Sequence, residues 1–312
     1  MLFRSMMHGM HDATFTPITV HGIAALRIER DGLAVTVTTG MGPRVLAFGR
    51  AGGPNLLAEL PDLRIEIPGV ADYPLLGGHR LWSTPEVPPV TYRTDGAAVA
   101  VTRHADGVDL QAPDDPVQGV AKRIGVRIAD GALELEHELR ACGTGPLETA
   151  PWAITQVPPR GEAWLPTAMG DLHGKWLPNR ALVLWPYSSV ADPRLTLGDD
   201  LVVVRGVAGA QGRVKVGTQR TRGWIAWRDG GTLLVVETAQ EAGSFGDMGA
   251  SLQCYSCGDF VELETLGPVV RLAPGETVVH RQRWRIHDVD PAASASDVIA
   301  SLGLASEVGL SG

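Results

Sequence analysis

The stretch Phe260–Ile286, FVELETLGPVVRLAPGETVVHRQRWRI, decides how the rest of the chain is read. Phe260–Leu266 alternates, with Val261, Leu263 and Thr265 on one face of a strand and Glu262, Glu264 and Leu266 on the other. Gly267-Pro268 breaks this strand, and Val269–Leu272 resumes it. Ala273-Pro274-Gly275-Glu276 has the residues of a tight turn. Thr277–Ile286 then runs long, with Val278, His280, Gln282, Trp284 and Ile286 on one side. The pattern predicts a meander of antiparallel strands with two carboxylates side by side. Residues two apart on a strand lie roughly 7 Å from each other, so Glu262 and Glu264 feel each other's charge.

The rest of the chain repeats that texture. Strand patterns fall at Ile18–Val20, Ala24–Ile28, Leu33–Thr38 and Arg44–Phe48, with Asp31-Gly32 and Gly40-Met41-Gly42 as turns. Asn55–Ile67 holds two short strands. Tyr73–Pro89, rich in Gly and Pro, reads as a shaped surface loop carrying His79, Arg80, Trp82 and Glu86. Alternation returns in Val99–Thr102, Val108–Gln111, Ala121–Ile128 and Leu133–Leu139, then in Ala150–Val157, Ala181–Tyr187, Leu201–Val207, Val214–Lys215, Gly223–Trp227 and Leu233–Thr238. Ser294–Leu302 alone reads as a helix. Leu133–Leu139, LELEHEL, also alternates glutamates, as any strand with one wet face does, so the Glu262/Glu264 pair draws its interest from its context.

The 312 residues include 38 Gly and 22 Pro, which suits many strands joined by turns. A hydrophobic content of 44 % supports a sizeable core. The net charge of −8 argues against a nucleic-acid partner, and no apolar run reaches membrane-spanning length. Residues 1–15 are expected to be a disordered leader without a secretory cleavage pattern, and 16–312 a single domain; a cytoplasmic location is the default. Three cysteines make no disulfide framework, and the lone Cys254-x-x-Cys257 reads as two free thiols. No phosphate loop, nucleophile elbow, zinc-helix or calcium-loop pattern occurs, so neither cofactor nor metal is expected.

GGHRLWSTPE, APWAITQ, LWPYSSVADPR and FVELETLGP, running from Gly77 to Trp284, together resemble the galactose-mutarotase-like (aldose 1-epimerase) superfamily, in an uncharacterised branch of it. The resemblance implies an all-β fold, an antiparallel β supersandwich with a minor C-terminal helix. It places Glu264, in Leu263-Glu264-Thr265, at the general-base position, and Arg80 at that of a sugar-binding arginine. Such enzymes carry a histidine as ring-oxygen acid in an Asn-His-x-Tyr-Phe-type motif. Here Ala150-Pro151-Trp152-Ala153 aligns there, and an indole N–H cannot transfer a proton near neutral pH. His79, Lys215 or another group then serves as acid, or the chemistry is absent.

The expected site is sugar-sized and solvent-open on a concave sheet face, lined by Arg80, Trp82, Glu86, Trp152, Gln156 and Glu264, with His79 at its rim. Trp82, Trp152 and Trp185 sit beside Pro and polar residues and offer apolar faces for a sugar ring, whereas Trp224, Trp227 and Trp284 read as core. Arg80 supplies a rigid fork, with Glu86 read as the acid that fixes it. Glu262 raises the pKa of Glu264, and Lys215 counts if it is buried. The resemblance thus implies an aldose 1-epimerase-like isomerase with a sugar as its small-molecule partner. Two alternatives stand beside it: a carbohydrate-binding protein without turnover, and a hydrolase or lyase using Glu262 with Glu264, or Glu264 with Glu86.

Overall fold

The computed structural model describes residues 12–93, 96–167, 178, 180–219, 223–239 and 241–304. Of the expected leader, residues 1–11 lie outside that set, and Thr14 and Phe15 already belong to the first strand. In chain order the strands are β1 (Thr14–Val20), β2 (Ile23–Arg30), β3 (Leu33–Thr38), β4 (Arg44–Arg50), β5 (Glu59–Ile67), β6 (Val70–Gly77), β7 (His79–Ser83) and β8 (Ala100–His104). There follow β9 (Gly107–Gln111), β10 (Val120–Ala129), β11 (Ala132–Ala141), β12 (Leu147–Thr149), β13 (Pro151–Val157), β14 (Glu162–Pro166), β15 (Leu182–Leu184) and β16 (Leu195–Leu197). The last are β17 (Leu201–Arg205), β18 (Val214–Thr218), β19 (Trp224–Asp229), β20 (Thr232–Thr238), β21 (Leu252–Ser256), β22 (Val261–Leu266), β23 (Val270–Leu272) and β24 (Thr277–Asp288).

Two ten-stranded antiparallel sheets result, in the orders β1-β2-β3-β4-β7-β13-β22-β21-β18-β15 and β16-β17-β14-β19-β20-β24-β11-β10-β9-β8. They bury one continuous apolar layer between them, in which Phe48 of the first sheet meets Trp284 of the second edge-on at 5.6 Å between ring centroids. Val261 and Leu263 enter this layer from β22, as the alternation predicts. The helix Ala295–Ser301 packs on part of the outer face of the second sheet, with Val298 in one cluster with Trp164 and Trp224. Ser294 caps that helix by accepting from the Asp297 N–H at 3.1 Å. No helix among the described residues is long and apolar enough to cross a membrane.

Two expectations are corrected here. Phe260–Ile286 is not a meander: β22 pairs with β13 and β21 in one sheet, β24 with β20 and β11 in the other. The break at Gly267-Pro268 and the turn at Ala273–Glu276 carry the chain across the sandwich. Val270–Leu272 does not resume β22 but pairs with β12. The turn itself is as read, with the Glu276 N–H bonded to the Ala273 carbonyl at 3.0 Å and Gly275 at φ +87°.

Nor is Tyr73–Pro89 a surface loop. Val70–Gly77 is an edge strand paired with β5, where Pro74 is tolerated because only one side needs its donors. His79–Ser83 is a central strand between β4 and β13. Gly77 and Gly78 make the join possible: at φ +82° and +75°, a Cβ would stand 2.0 Å from the Ala58 carbonyl oxygen and 2.2 Å from that of Val45. Within that stretch only Gly78 and residues 84–89 lie outside strands.

Candidate functional site

β7, β13, β22, β21 and β18 lie side by side in the first sheet, and every second residue of each points away from the sandwich. That rule brings Arg80 and Trp82, Trp152 and Gln156, Glu262 and Glu264, Gln253 and Tyr255, and Lys215 onto one outer face. A surface of this kind would normally be wet. The expected solvent-open face is not what the structure has: Arg80, Trp82, Trp152, Gln156 and Glu264 are buried, and Glu262 is only 9 % exposed. An aromatic layer built from Tyr73, Trp82, Trp152, Tyr92, Tyr255 and Phe260 surrounds the two carboxylates, together with the β5–β6 hairpin. The alternating glutamates of β11 show the contrast: Glu136 and Glu138 face outward, where they meet Arg123.

Two ion pairs organise the centre. The Glu262 carboxylate accepts from Arg80 Nη2 at 3.1 Å and from Gln156 Nε2 at 3.0 Å, both on the same oxygen. Arg80 lies over the Trp82 ring at 4.5 Å, and Glu262 raises its pKa even though burial opposes the charge. The Glu264 Oε2 accepts from Lys215 Nζ at 2.8 Å and from Trp152 Nε1 at 2.7 Å. Lys215 in turn sits 5.0 Å from the Trp152 ring centroid and 4.6 Å from that of Trp185. Ser188, three residues beyond Trp185, clasps the Lys215 backbone, its Oγ accepting from the N–H at 2.7 Å and donating to the carbonyl at 2.8 Å.

Burial pushes the Glu264 carboxyl upward, the Glu262 charge adds to the effect, and Lys215 and the Trp152 indole oppose it, leaving the group at about 7. The other Glu264 oxygen, Oε1, is buried and has no hydrogen-bond partner. Trp82 Nε1, Arg80 Nε and Nη1, and Gln156 Oε1 are in the same condition. Buried polar groups are nearly always paired within a protein, so this many beside one another marks a face suited to a polar ligand.

Two predicted site residues fall elsewhere. His79 precedes Arg80 on the strand and therefore points into the sandwich, not to the rim of the site. Its Nδ1 meets Thr155 Oγ1 at 2.9 Å and its Nε2 meets His137 Nε2 at 2.7 Å. Burial and the neighbouring His137 hold its pKa well below the usual value. Glu86 does not fix Arg80, a role taken by Glu262. It is exposed and accepts from the Tyr92 hydroxyl, whose ring stands edge-on to Trp82 at 4.9 Å. Trp185 is half-buried and reaches the site through Lys215. Gln253, Tyr255 and Ser188 were missed, although LQCYS alternates like its neighbour β22 and could have revealed the first two.

No protein-family model and no curated protein matches the chain. Solved structures do. A putative aldose 1-epimerase from Klebsiella pneumoniae superposes with a TM-score of 0.55 at 12 % identity, over 93 % of this chain and 88 % of that one. A galactose mutarotase-like protein from Clostridium acetobutylicum gives 0.53 at 11 % identity, over 89 % and 99 %. The chain has the galactose mutarotase-like fold. A TPR-domain containing protein from Parabacteroides distasonis gives 0.57 at 11 % identity, covering 91 % of this chain but 55 % of that longer one. At such identities the mutarotase-like likeness extends to the fold alone, and the chemistry rests on the side chains of this chain.

Proposed function

We propose that the protein binds a cyclic sugar on the outer face of the first sheet and interconverts its anomers, with Glu264 as the base. The observation that carries this is the asymmetric Glu264 carboxylate: one oxygen is fixed by Lys215 and Trp152, the other is buried and unpartnered. A base held near neutrality can both accept and return a proton, which anomer exchange requires. Glu264 Oε1 takes the proton of the anomeric hydroxyl as the bond to the ring oxygen breaks. The carbonyl end rotates, and closure from the other face returns the proton. Trp185, half-buried, supplies an apolar face for the sugar, while Arg80, Gln156 and Glu262 carry the hydrogen-bonding groups of the face.

Anomer exchange measured by NMR on a panel of aldoses and aldose phosphates tests the proposal. Glu264→Gln is expected to keep the fold and most of the ligand affinity and to slow exchange by roughly two to four powers of ten. A variant that exchanges as fast as the parent overturns Glu264 as the base. A parent that binds a sugar without turning it over identifies a carbohydrate-binding protein, and cleaved products identify a hydrolase or lyase.

A further inference from the structure

We propose that Lys215 is the proton donor of this site, protonating the ring oxygen as Glu264 takes up the anomeric proton; this rests on the reading of Glu264 as the base. The mutarotase-like chain has no histidine on β13 for that task, and His79 lies on the wrong face of β7. Among the described residues, the other groups beside the site fail on chemistry. The Trp152 indole touches Glu264 but cannot give up its proton usefully, and the Arg80 guanidinium keeps its proton and is tied to Glu262. Burial raises the phenols of Tyr187 and Tyr255, making them poorer donors.

Lys215 meets the geometric requirement. Its Nζ is 2.8 Å from Glu264 Oε2, so the donor sits at one oxygen of the carboxylate whose other oxygen, Oε1, is the base. The two sugar oxygens that exchange protons are likewise both attached to one carbon. Ammonium offers three protons, of which the Glu264 bond uses one. The cation is held over Trp152 and Trp185, and its strand is clasped by Ser188, so the donor is positioned by packing and not left to swing in solvent. A buried ion pair carries a desolvation cost. Transferring one proton from Nζ to the sugar and another from the sugar to Oε1 leaves a neutral amine and a neutral acid, which relieves that cost during ring opening.

The O1–H bond breaks as a bond from Glu264 Oε1 to hydrogen forms, and C1–O1 becomes a carbonyl. The C1–O5 bond breaks with its electron pair on O5, which takes a proton from Lys215. After rotation about C1–C2 the two transfers reverse, the ring closes on the other face, and ammonium and carboxylate are restored.

The experiment compares parent, Lys215→Ala, Lys215→Arg and Glu264→Gln for exchange of freshly dissolved α-D-glucose and α-D-galactose, with thermal unfolding as the check on folding. Both Lys215 variants are expected to lose at least about a hundredfold in kcat with little change in KM. Methylammonium added to Lys215→Ala is expected to restore part of the rate. Recovery of the parental rate by Lys215→Arg would mean that only the positive charge is needed and would overturn the proposal. Parental rates in both Lys215 variants, with Glu264→Gln slow, would overturn it while leaving Glu264 as the base. A parent inert towards both sugars and the wider panel would remove the two readings together.

Discussion

Glu262 and Glu264 stand two residues apart and carry different loads. Glu262 is committed to Arg80 and Gln156, whereas Glu264 is divided between the Lys215 and Trp152 donors and an unpartnered oxygen. Their coupling gives two pH shifts of opposite sign. The Glu262 charge raises the Glu264 pKa, so Glu262→Gln is expected to lower it from about 7 and to move the acid limb of the proposed anomer exchange down with it. The freed Arg80 cation acts in the same direction. Trp152→Phe removes a hydrogen bond that favours the carboxylate, so it is expected to raise the Glu264 pKa and move the limb up. Titration of the labelled carboxyl carbon by NMR reads both shifts even where turnover is slow. Equal shifts of one sign in both variants would contradict this arrangement.

At the scale of the element, β7 decides whether the site exists at all. Gly77 and Gly78 let the chain pass against Ala58 and Val45 and enter the centre of the sheet, and Gln156 N–H bonds to the Gly78 carbonyl at 2.8 Å. Gly78→Ala combines a left-handed backbone with a Cβ 2.2 Å from a carbonyl oxygen, so it is expected to cost more than about 2 kcal/mol in urea unfolding. Exposed Gly131→Ala, also left-handed (φ +66°) but with nothing near its Cβ, should cost less, and equal losses would refute the close-approach argument. This strand is also where the sequence was hardest to read. Glycines and prolines on both sides of HRLWS hid a strand whose two faces are both buried, which leaves no polar alternation to detect. A shift of one residue in register is all that separates His79 from Arg80, and the pattern of a two-sided strand does not fix it. Strands with one wet face, such as β11 and β24, were legible for the opposite reason. Glu264 and Trp152 could be picked out, but not that the Glu262/Glu264 face is covered, since the cover comes from β5, β6 and aromatic residues far away in sequence.

Across the whole molecule, the two sheets are joined by a buried histidine chain, and it sets the expected response to acid. His137 Nδ1 lies 3.0 Å from the His280 carbonyl, which can only accept, so this nitrogen carries the proton and Nε2 is the acceptor. His79 Nε2 therefore donates to His137, and its Nδ1 accepts from the Thr155 hydroxyl. His280 continues to Thr265 at 2.7 Å, so β7 and β22 of one sheet are tied to β11 and β24 of the other. This arrangement requires neutral rings. Burial lowers His137 to about 4 and His280 to about 3, and holds His79 well below its usual value. Below about pH 6.5 the unfolded chain thus binds three protons that the folded chain refuses, and stability falls as the pH falls. Glu264 acts in reverse, since its folded pKa of about 7 exceeds the unfolded value, and it offsets one of the three between about pH 4.5 and 7. His287, lowered by burial, and Glu241, raised by burial, act in opposite senses and leave the net uptake at about two protons, a loss of about 2–3 kcal/mol per pH unit between pH 6 and 5. Lowered carboxylates such as Asp109 and Glu136 add to the loss only at more acid pH, where the unfolded carboxylates protonate. His137→Gln removes one of the titrating rings, so its urea-unfolding stability should start lower but fall less steeply over the same interval. A parent whose stability is flat from pH 6.5 to 5, or a variant with an unchanged slope, would show that the neutral chain is not what holds the sandwich against acid.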